Sequence, residues 1–269
     1  MKKIQNPAYG RYAKKRFGQN FLHDANIARK IVDTLHIEPQ DKVIEIGPGH
    51  CALSVHIADA NPALYAAVER DLELAMELRD KCPGVEPLAA DALSIRWEGL
   101  PQDASWKVVG NLPYNIASPL MWELFSRGRA VTRAVFMIQK EVGQRLVAEA
   151  GGRAYGALTV WVQSFVKPRY EFTVSPNVFI PRPKVESAVL SFTPHENPGH
   201  FDPRALSGLV KLCFQNRRKQ VGKILKSLWN DEVDEWFRQQ GLSAKVRPED
   251  LTPNHFQALS VLTKTHFMA

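Results

Sequence analysis

The stretch VVGNLPYN at residues 108–115 combines groups that could activate an amino group. The amide oxygen of Asn111 and the backbone carbonyl of Leu112 can both accept hydrogen bonds from one NH2 group, which favours a pyramidal nitrogen with a free lone pair. Pro113 restricts the backbone after Leu112, and Tyr114 can stack on a base that has left its own stack. The stretch suits chemistry on a nucleobase amine, although an Asn-capped turn with a packed tyrosine has the same sequence.

Three other segments carry residue types that bind nucleotides. Gly47 and Gly49, in EIGPGHC, could let the backbone approach a ligand closely. Glu69 could accept both hydroxyls of a ribose, while Asp91 could accept an adenine amine or cap a helix. A ribose-binding carboxylate suits NAD or S-adenosylmethionine. The glycine spacing and the lack of a paired proton donor disfavour an NAD dehydrogenase, and no Gly-x-x-x-x-Gly-Lys loop supports a P-loop nucleotidase.

Apolar periodicity predicts an open α/β sheet that would position these residues. Strands are predicted at 42–46, 64–68, just before Asp91, at 107–109 and at 134–138, with helices at 26–35, 52–60, 72–79, 118–126 and 141–150. Residues 157–166 suit a strand or a buried helix, and 170–174 and 187–192 suit closing strands. Because open α/β sheets bind nucleotides at the carboxyl ends of their strands, the candidate residues should lie together.

The C-terminal part is predicted to form a separate helical domain. Residues 193–200 have the composition of a linker, and helices are predicted at 203–213, 219–228, 231–240 and 254–262. The expected organisation is a sheet domain over residues 1–194, with a basic N-terminal segment over residues 1–22, and an all-helical domain over residues 195–269.

Charge and cysteine content narrow the function classes. Residues 1–30 carry a net charge of +7, residues 31–199 carry −4 and residues 200–269 carry +4, which suggests a polyanion held from both sides or simply a solvated basic surface. The three cysteines lack metal-ligand spacing and suit a reducing cytoplasm. We expect no metal, no export signal and no membrane span.

Several motifs resemble those of one enzyme family. Asn-Leu-Pro-Tyr at 111–114 is similar to the Asn/Asp-Pro-Pro-Tyr/Phe motif of S-adenosylmethionine-dependent amino-group methyltransferases. The chain resembles the ribosomal RNA adenine dimethyltransferases in KKRFGQNFL at 14–22, EIGPG at 45–49, VERD at 68–71, FIPRPKVES at 179–187 and FQNRRK at 214–219. The resemblance is greatest to bacterial small-subunit members, which dimethylate two adjacent adenosines in a hairpin loop near the 3′ end of small-subunit (16S) rRNA.

This resemblance implies a fold, a cofactor and a partner. The fold would be a Rossmann-like class I S-adenosylmethionine-dependent methyltransferase sheet with a small C-terminal all-helical domain that binds RNA. S-adenosylmethionine would be the methyl donor, without a metal, and the partner would be small-subunit rRNA in immature 30S ribosomal subunits. The enzyme would act as a cytoplasmic monomer during ribosome biogenesis and form N6,N6-dimethyladenosine.

The resemblance also implies residue roles. Donor contacts are expected from Gln19, Asn20, Leu22, Gly47, Glu69, Asp91 and Asn111. The catalytic residues would be Asn111, Leu112, Tyr114, which stacks on the target adenine, and Phe179, which closes the opposite face. Cys51 stands where many members have glycine, and a small side chain should be tolerated there. His50 beside it is expected to face solvent.

Basic residues on both sides of the chain's middle are candidates for phosphate contacts. The expected RNA-binding residues are Lys14, Lys15, Arg16, Arg217, Arg218, Lys219 and Lys223. The spacing of Lys219, Lys223 and Lys226 predicts one helical face, although such a face could simply be solvated.

Other functions stay open on the sequence alone. A large-subunit rRNA adenine methyltransferase of the antibiotic-resistance type, or a DNA adenine methyltransferase, would use the same chemistry. The chain could also act mainly as a ribosome-assembly factor that recognises immature subunits.

Overall fold

The computed structural model describes residues 19–197 and 199–267, and the chain divides into two compact units. Among the described residues, the first unit contains those up to Gly143 and Pro168–Pro194, and the second contains Gln144–Lys167 and those from His195 onward. The sequence predicts a first domain over residues 1–194, whereas contacts place Gln144–Lys167 in the second unit. No helix in the described ranges is both long and apolar enough to cross a membrane.

A seven-stranded sheet forms the centre of the first unit. The strands of the chain are β1 (Phe21–Leu22), β2 (Lys42–Ile46), β3 (Leu64–Glu69), β4 (Glu86–Ala89), β5 (Trp106–Asn111), β6 (Val131–Gln139), β7 (Val166–Val174), β8 (Phe179–Ile180) and β9 (Ser187–Pro194). Their order in the large sheet is β4-β3-β2-β5-β6-β9-β7, and β1 pairs with β8 in a separate antiparallel ribbon. Strands β2 to β6 pair in parallel, while β9 runs antiparallel to β6. The predicted open α/β sheet is confirmed.

The connections between the parallel strands are mostly helical. They include α1 (Ala25–Leu35), which precedes β2, α2 (Ser54–Asp59), α3 (Leu72–Lys81) and α4 (Tyr114–Arg127), with α5 (Lys140–Leu146) after β6. In the sheet, β2 lies between β3 and β5. The chain passes from β2 to β3 on one side and later places β5 on the other side, so the strand order reverses at β2. Open α/β sheets bind ligands outside the carboxyl ends of the strands at such a switch point.

Helix α1 illustrates how the sequence sets its local structure. The side chain of Asp24 caps the helix by accepting from the N–H groups of Asn26 and Ile27, which satisfies donors that have no partner inside the helix. Ile31 and Leu35, one turn apart, are fully buried and extend the apolar face of the helix toward the core.

The second unit consists mainly of helices and the loops between them. Its helices are α6 (Ala157–Phe165), α7 (Pro203–Gln215), α8 (Val221–Ile224), α9 (Asp231–Gln239), α10 (Pro253–Leu262) and α11 (Lys264–Phe267). The segment that suits a strand or a helix is therefore a helix, α6, and its packing against α7 and α10 explains why it belongs to this unit.

The helix predicted over 219–228 is wrong in its extent. Only Val221–Ile224 is helical, because the chain turns through Leu225–Leu228 and places Trp229 against Phe237, with ring centroids 4.8 Å apart. Lys219 and Lys226 lie outside α8. The prediction that they share one helical face with Lys223 is therefore also wrong.

Candidate active site

A cleft at the carboxyl ends of the parallel strands brings the predicted donor and catalytic residues together. It encloses about 1080 Å³, open solvent at its mouth included, which is enough space for a nucleoside-sized ligand. All ten of those predicted residues line it: Gln19, Asn20, Leu22, Gly47, Glu69, Asp91, Asn111, Leu112, Tyr114 and Phe179.

The turn after β2 allows the backbone to approach a ligand. Gly47 and Gly49 have φ angles of +68° and +54°, a conformation that costs glycine little. A Cβ at Gly49 would lie 3.0 Å from the ring of Phe21. Cys51 also adopts a left-handed φ of +68°, which agrees with glycine being common there in the family that the chain resembles.

Glu69 connects this turn to the end of β3. One carboxylate oxygen accepts from the N–H of Gly49 at 3.2 Å and the other from the N–H of Asp71 at 2.9 Å. Burial raises the pKa of this carboxyl, and the two backbone hydrogen bonds oppose that rise. Each oxygen has a second lone pair, so the oriented carboxylate fits the two hydroxyls of a ribose.

Asp91 caps a short helical turn, which confirms one of the two roles that the sequence left open. One oxygen caps the short helical turn Ala92–Ser94 by accepting from the N–H of Leu93 at 3.0 Å. The other pairs with the guanidinium of Arg70 at 3.3 Å. Both side chains also line the cleft, so the cap holds Asp91 where a ligand could reach it.

The orientation of the Asn111 amide follows from one contact. Its Nδ2 donates to the backbone carbonyl of Asn20 at 3.0 Å. An amide that donates through its nitrogen at this position keeps its oxygen as the acceptor for a ligand. The N–H of Leu112, the next residue, donates to the carbonyl of Met137 in β6 at 3.0 Å, which fixes the backbone beside the amide.

Two aromatic rings complete the predicted set. Tyr114 is the first residue of α4, which begins four residues before its predicted start, directly after Pro113. Its hydroxyl lies 3.1 Å from Oγ of Ser187. Phe179 is 3% exposed and belongs to the hydrophobic core as well as to the cleft wall. It faces Leu22 across the β1–β8 ribbon.

A buried carboxyl near the glycine turn is not among the predicted site residues. Glu45 of β2 lines the cleft but is 1% exposed, and it accepts hydrogen bonds from the hydroxyls of Ser54, at 2.7 Å, and Tyr65. Burial raises its pKa to about 7, the two hydrogen bonds oppose the rise, and the charge of Glu69 adds to it. The signal was a lone acid inside the apolar strand KVIEI.

The expectation that His50 faces solvent is wrong. The side chain is buried, and its ring lies 4.2 Å from that of Phe21 between centroids. The ring of Phe21 also lies against Gly49 of the turn, so His50 is covered by the ring that packs on the turn. Among the described residues, no group of three or more His, Cys, Asp and Glu could hold a metal ion.

The predicted RNA-binding residues have different surroundings. Lys14, Lys15 and Arg16 lie outside the described residues. Arg218, Lys219 and Lys223 are exposed on the second unit. Arg217, in contrast, is half-buried, pairs with Glu249 at 2.5 Å and donates to the carbonyl of Arg153 at 3.1 Å.

Comparison with known proteins identifies the family. The family model for ribosomal RNA adenine dimethylase matches residues 10–264. The chain belongs to this family. It is 54% identical over 262 residues to ribosomal RNA small subunit methyltransferase A of Oleidesulfovibrio alaskensis, covering 96% of this chain and 93% of that protein. It is 41% identical to the protein of the same name from Lawsonia intracellularis, covering 92% of each chain.

Two solved structures show the fold of the dimethylase. A dimethyladenosine transferase from Plasmodium falciparum superposes with a TM-score of 0.74 at 24% identity, covering 91% of this chain and 97% of that chain. The 23S rRNA methyltransferase ErmE superposes with a TM-score of 0.71 at 23% identity, covering 91% and 100%. The expected Rossmann-like methyltransferase fold is confirmed. The dimethylase is an S-adenosylmethionine-dependent rRNA adenine methyltransferase.

Proposed function

We propose that the dimethylase methylates N6 of two adjacent adenosines in the 3′-terminal hairpin loop of small-subunit (16S) rRNA. It gives each adenosine two methyl groups, during biogenesis of the 30S subunit in the cytoplasm, as a monomer. The choice of subunit is supported by the relatives named ribosomal RNA small subunit methyltransferase A. The chemistry rests on one observation above all, the hydrogen bond from Asn111 to Asn20 that leaves the amide oxygen as acceptor.

The donor half of the cleft is formed by the turn and by the ends of β3 and β4. The sulfonium of S-adenosylmethionine would supply the methyl group and leave as the thioether of S-adenosylhomocysteine. The methylated nitrogen would lose its proton to water after the transfer, so no strong protein base is needed. Glu69 binds the ribose hydroxyls, and Asp91 binds the adenine amine of the donor. Gly47 admits the donor close to the backbone, while Gln19, Asn20 and Leu22 cover it.

The acceptor half is formed by the residues that follow β5. The amide oxygen of Asn111 and the carbonyl of Leu112 accept from the target amine and favour a pyramidal nitrogen. Tyr114 stacks on the extruded adenine, an interaction worth about 1–3 kcal/mol per base, and Phe179 closes the opposite face.

RNA binding depends on cations in both parts of the chain. Arg218, Lys219 and Lys223 contact phosphates from the helical domain, residues 195–269, and Lys14, Lys15 and Arg16 do so from the N-terminal segment. Arg217 supports the same loop through its pair with Glu249 and acts on RNA through its neighbours.

Substrate choice and catalysis can be tested together. Radiolabelled S-adenosylmethionine is offered with unmethylated small subunits, large subunits, naked rRNA or DNA, and the labelled nucleoside is identified. We expect N6,N6-dimethyladenosine from small subunits alone. Asn111→Ala should lower the rate by about 100-fold or more, whereas Asn254→Ala, at an exposed position, should not. Label chiefly in large-subunit RNA or DNA would contradict the proposal.

The same variant separates methylation from subunit assembly. If cells carrying Asn111→Ala mature their small subunits normally while deletion of the whole chain impairs maturation, an assembly role exists apart from methylation.

A further inference from the structure

Ser187 lies beside the acceptor half of the cleft and has no role in the proposed function. The residue is 1% exposed, and its Oγ is 3.1 Å from the hydroxyl of Tyr114. Buried hydroxyl groups in folded proteins are hydrogen-bonded as a rule. Here the hydrogen bond reaches the hydroxyl end of Tyr114, the residue whose ring is proposed to stack on the target base.

The position of Ser187 is set by the sheet. It is the first residue of β9 and faces Gln139 in the antiparallel ladder with β6. The residue before it, Glu186, is held twice by Lys140, whose N–H donates to its carbonyl at 3.0 Å and whose Nζ pairs with its carboxylate at 2.7 Å. The backbone at Ser187 is thus placed by contacts that do not depend on RNA.

The position of the Tyr114 side chain depends on its contact with Ser187. Tyr114 begins α4, and no side chain caps that end of the helix. The ring is only partly buried and lines the cleft, so packing restrains it less than a core residue. A hydrogen bond at the hydroxyl restricts the direction in which the side chain points, because it holds the atom farthest from the backbone.

We propose that Ser187 is a positioning residue whose hydroxyl holds the Tyr114 ring at the place where it stacks on the target adenine. It touches neither the donor nor the reacting amine. The inference rests on the proposed stacking role of Tyr114. A side chain that is held in place before RNA arrives loses less freedom on binding, which favours capture of the extruded base.

A double-mutant cycle tests the contact in the full chain. Ser187→Ala and Tyr114→Phe remove the same hydrogen bond from opposite sides, and the phenylalanine retains a stacking ring. With unmethylated small subunits and labelled S-adenosylmethionine, we expect each variant to lower kcat/KM by about 3- to 10-fold. The double variant should lose no more than either single one. The dissociation constant for S-adenosylmethionine should not change, and Ser187→Thr should retain activity because it keeps the hydroxyl.

The outcomes distinguish this inference from a structural role and from the proposed function. Losses that multiply in the double variant, or wild-type kcat/KM in both single variants, overturn the inference. If Ser187→Ala fails to fold, Tyr114→Phe decides alone, and wild-type kcat/KM overturns it. Tyr114→Ala tests the stacking role, and full activity of this variant contradicts the proposed function. If Tyr114→Ala loses much activity while Tyr114→Phe and Ser187→Ala are unaffected, only the positioning role is contradicted.

Discussion

Replacing Glu45 with glutamine tests whether the carboxyl beneath the glycine turn is protonated in the folded protein. The side chain is 1% exposed, bonded to the hydroxyls of Ser54 and Tyr65 and near the charge of Glu69. Burial disfavours the charged form of a carboxyl, and a nearby like charge adds to that effect. Glutamine has a similar shape, keeps an acceptor for the hydroxyls and cannot ionise.

The magnitude follows from the shift in pKa. Folding raises the pKa of Glu45 from 4.5 to about 7, and each unit corresponds to about 1.4 kcal/mol. The contribution of Glu45 to the free energy of unfolding is fully present below the pKa of the unfolded state, because Glu45 is then protonated in both states. It is lost as pH rises through the folded pKa, since the unfolded state ionises first. Between about pH 5 and about pH 8 the free energy of unfolding should fall by about 2–3 kcal/mol on this account.

Urea denaturation across that pH range measures the effect. The difference in the free energy of unfolding between wild type and Glu45→Gln should change with pH by this amount. Taking the difference cancels the titration of all other groups, because both proteins share them. Glu196→Gln, at an exposed position, serves as the control and should stay parallel to wild type. Parallel curves for Glu45→Gln as well would mean that Glu45 is ionised throughout, and the reasoning would be refuted.

Two further substitutions test the glycine turn of the cleft and the buried ion pair between Lys107 and Asp41. Gly49→Ala should weaken S-adenosylmethionine binding in calorimetry, because φ is +54° and the added Cβ would lie 3.0 Å from Phe21; Gly99→Ala, with no atom within 4 Å, should bind normally. Lys107→Met should lower the free energy of unfolding by about 3–5 kcal/mol, because it removes the 2.6 Å partner of the buried Asp41. Adding Asp41→Asn should restore much of that loss, and additive losses would count against a buried pair.

The first unit could be predicted well because its pattern is local. Short apolar runs alternate with amphipathic helices, and the carboxyl ends of parallel strands must meet at one edge. Gly47 directly follows β2, and Glu69 and Asn111 end β3 and β5, the two strands that flank β2, so the three meet at one edge of the sheet. The placement of residues 144–167 could not be predicted in this way, because an apolar segment does not specify which apolar surface covers it.

Arg217 shows a second limit of sequence reasoning. In FQNRRK it cannot be distinguished from Arg218, and both look like phosphate contacts. The structure separates them through Glu249, 32 residues away, which pairs with Arg217 at 2.5 Å. Pairing over that separation depends on the fold of the second unit, and no local pattern carries it.

The amide of Asn111 raises the same problem at the scale of single atoms. Its oxygen and nitrogen ends have nearly the same shape, and sequence alone does not say which end faces a ligand. The carbonyl of Asn20, 91 residues earlier in the chain, can only accept, so it selects the nitrogen. An aspartate at this position would place a second acceptor against that carbonyl, which explains asparagine here although the related motif admits either residue. The same hydrogen bond joins the segment that lines the donor half of the cleft to the group that would receive the base, so displacement of Asn20 should disturb catalysis as well as donor binding.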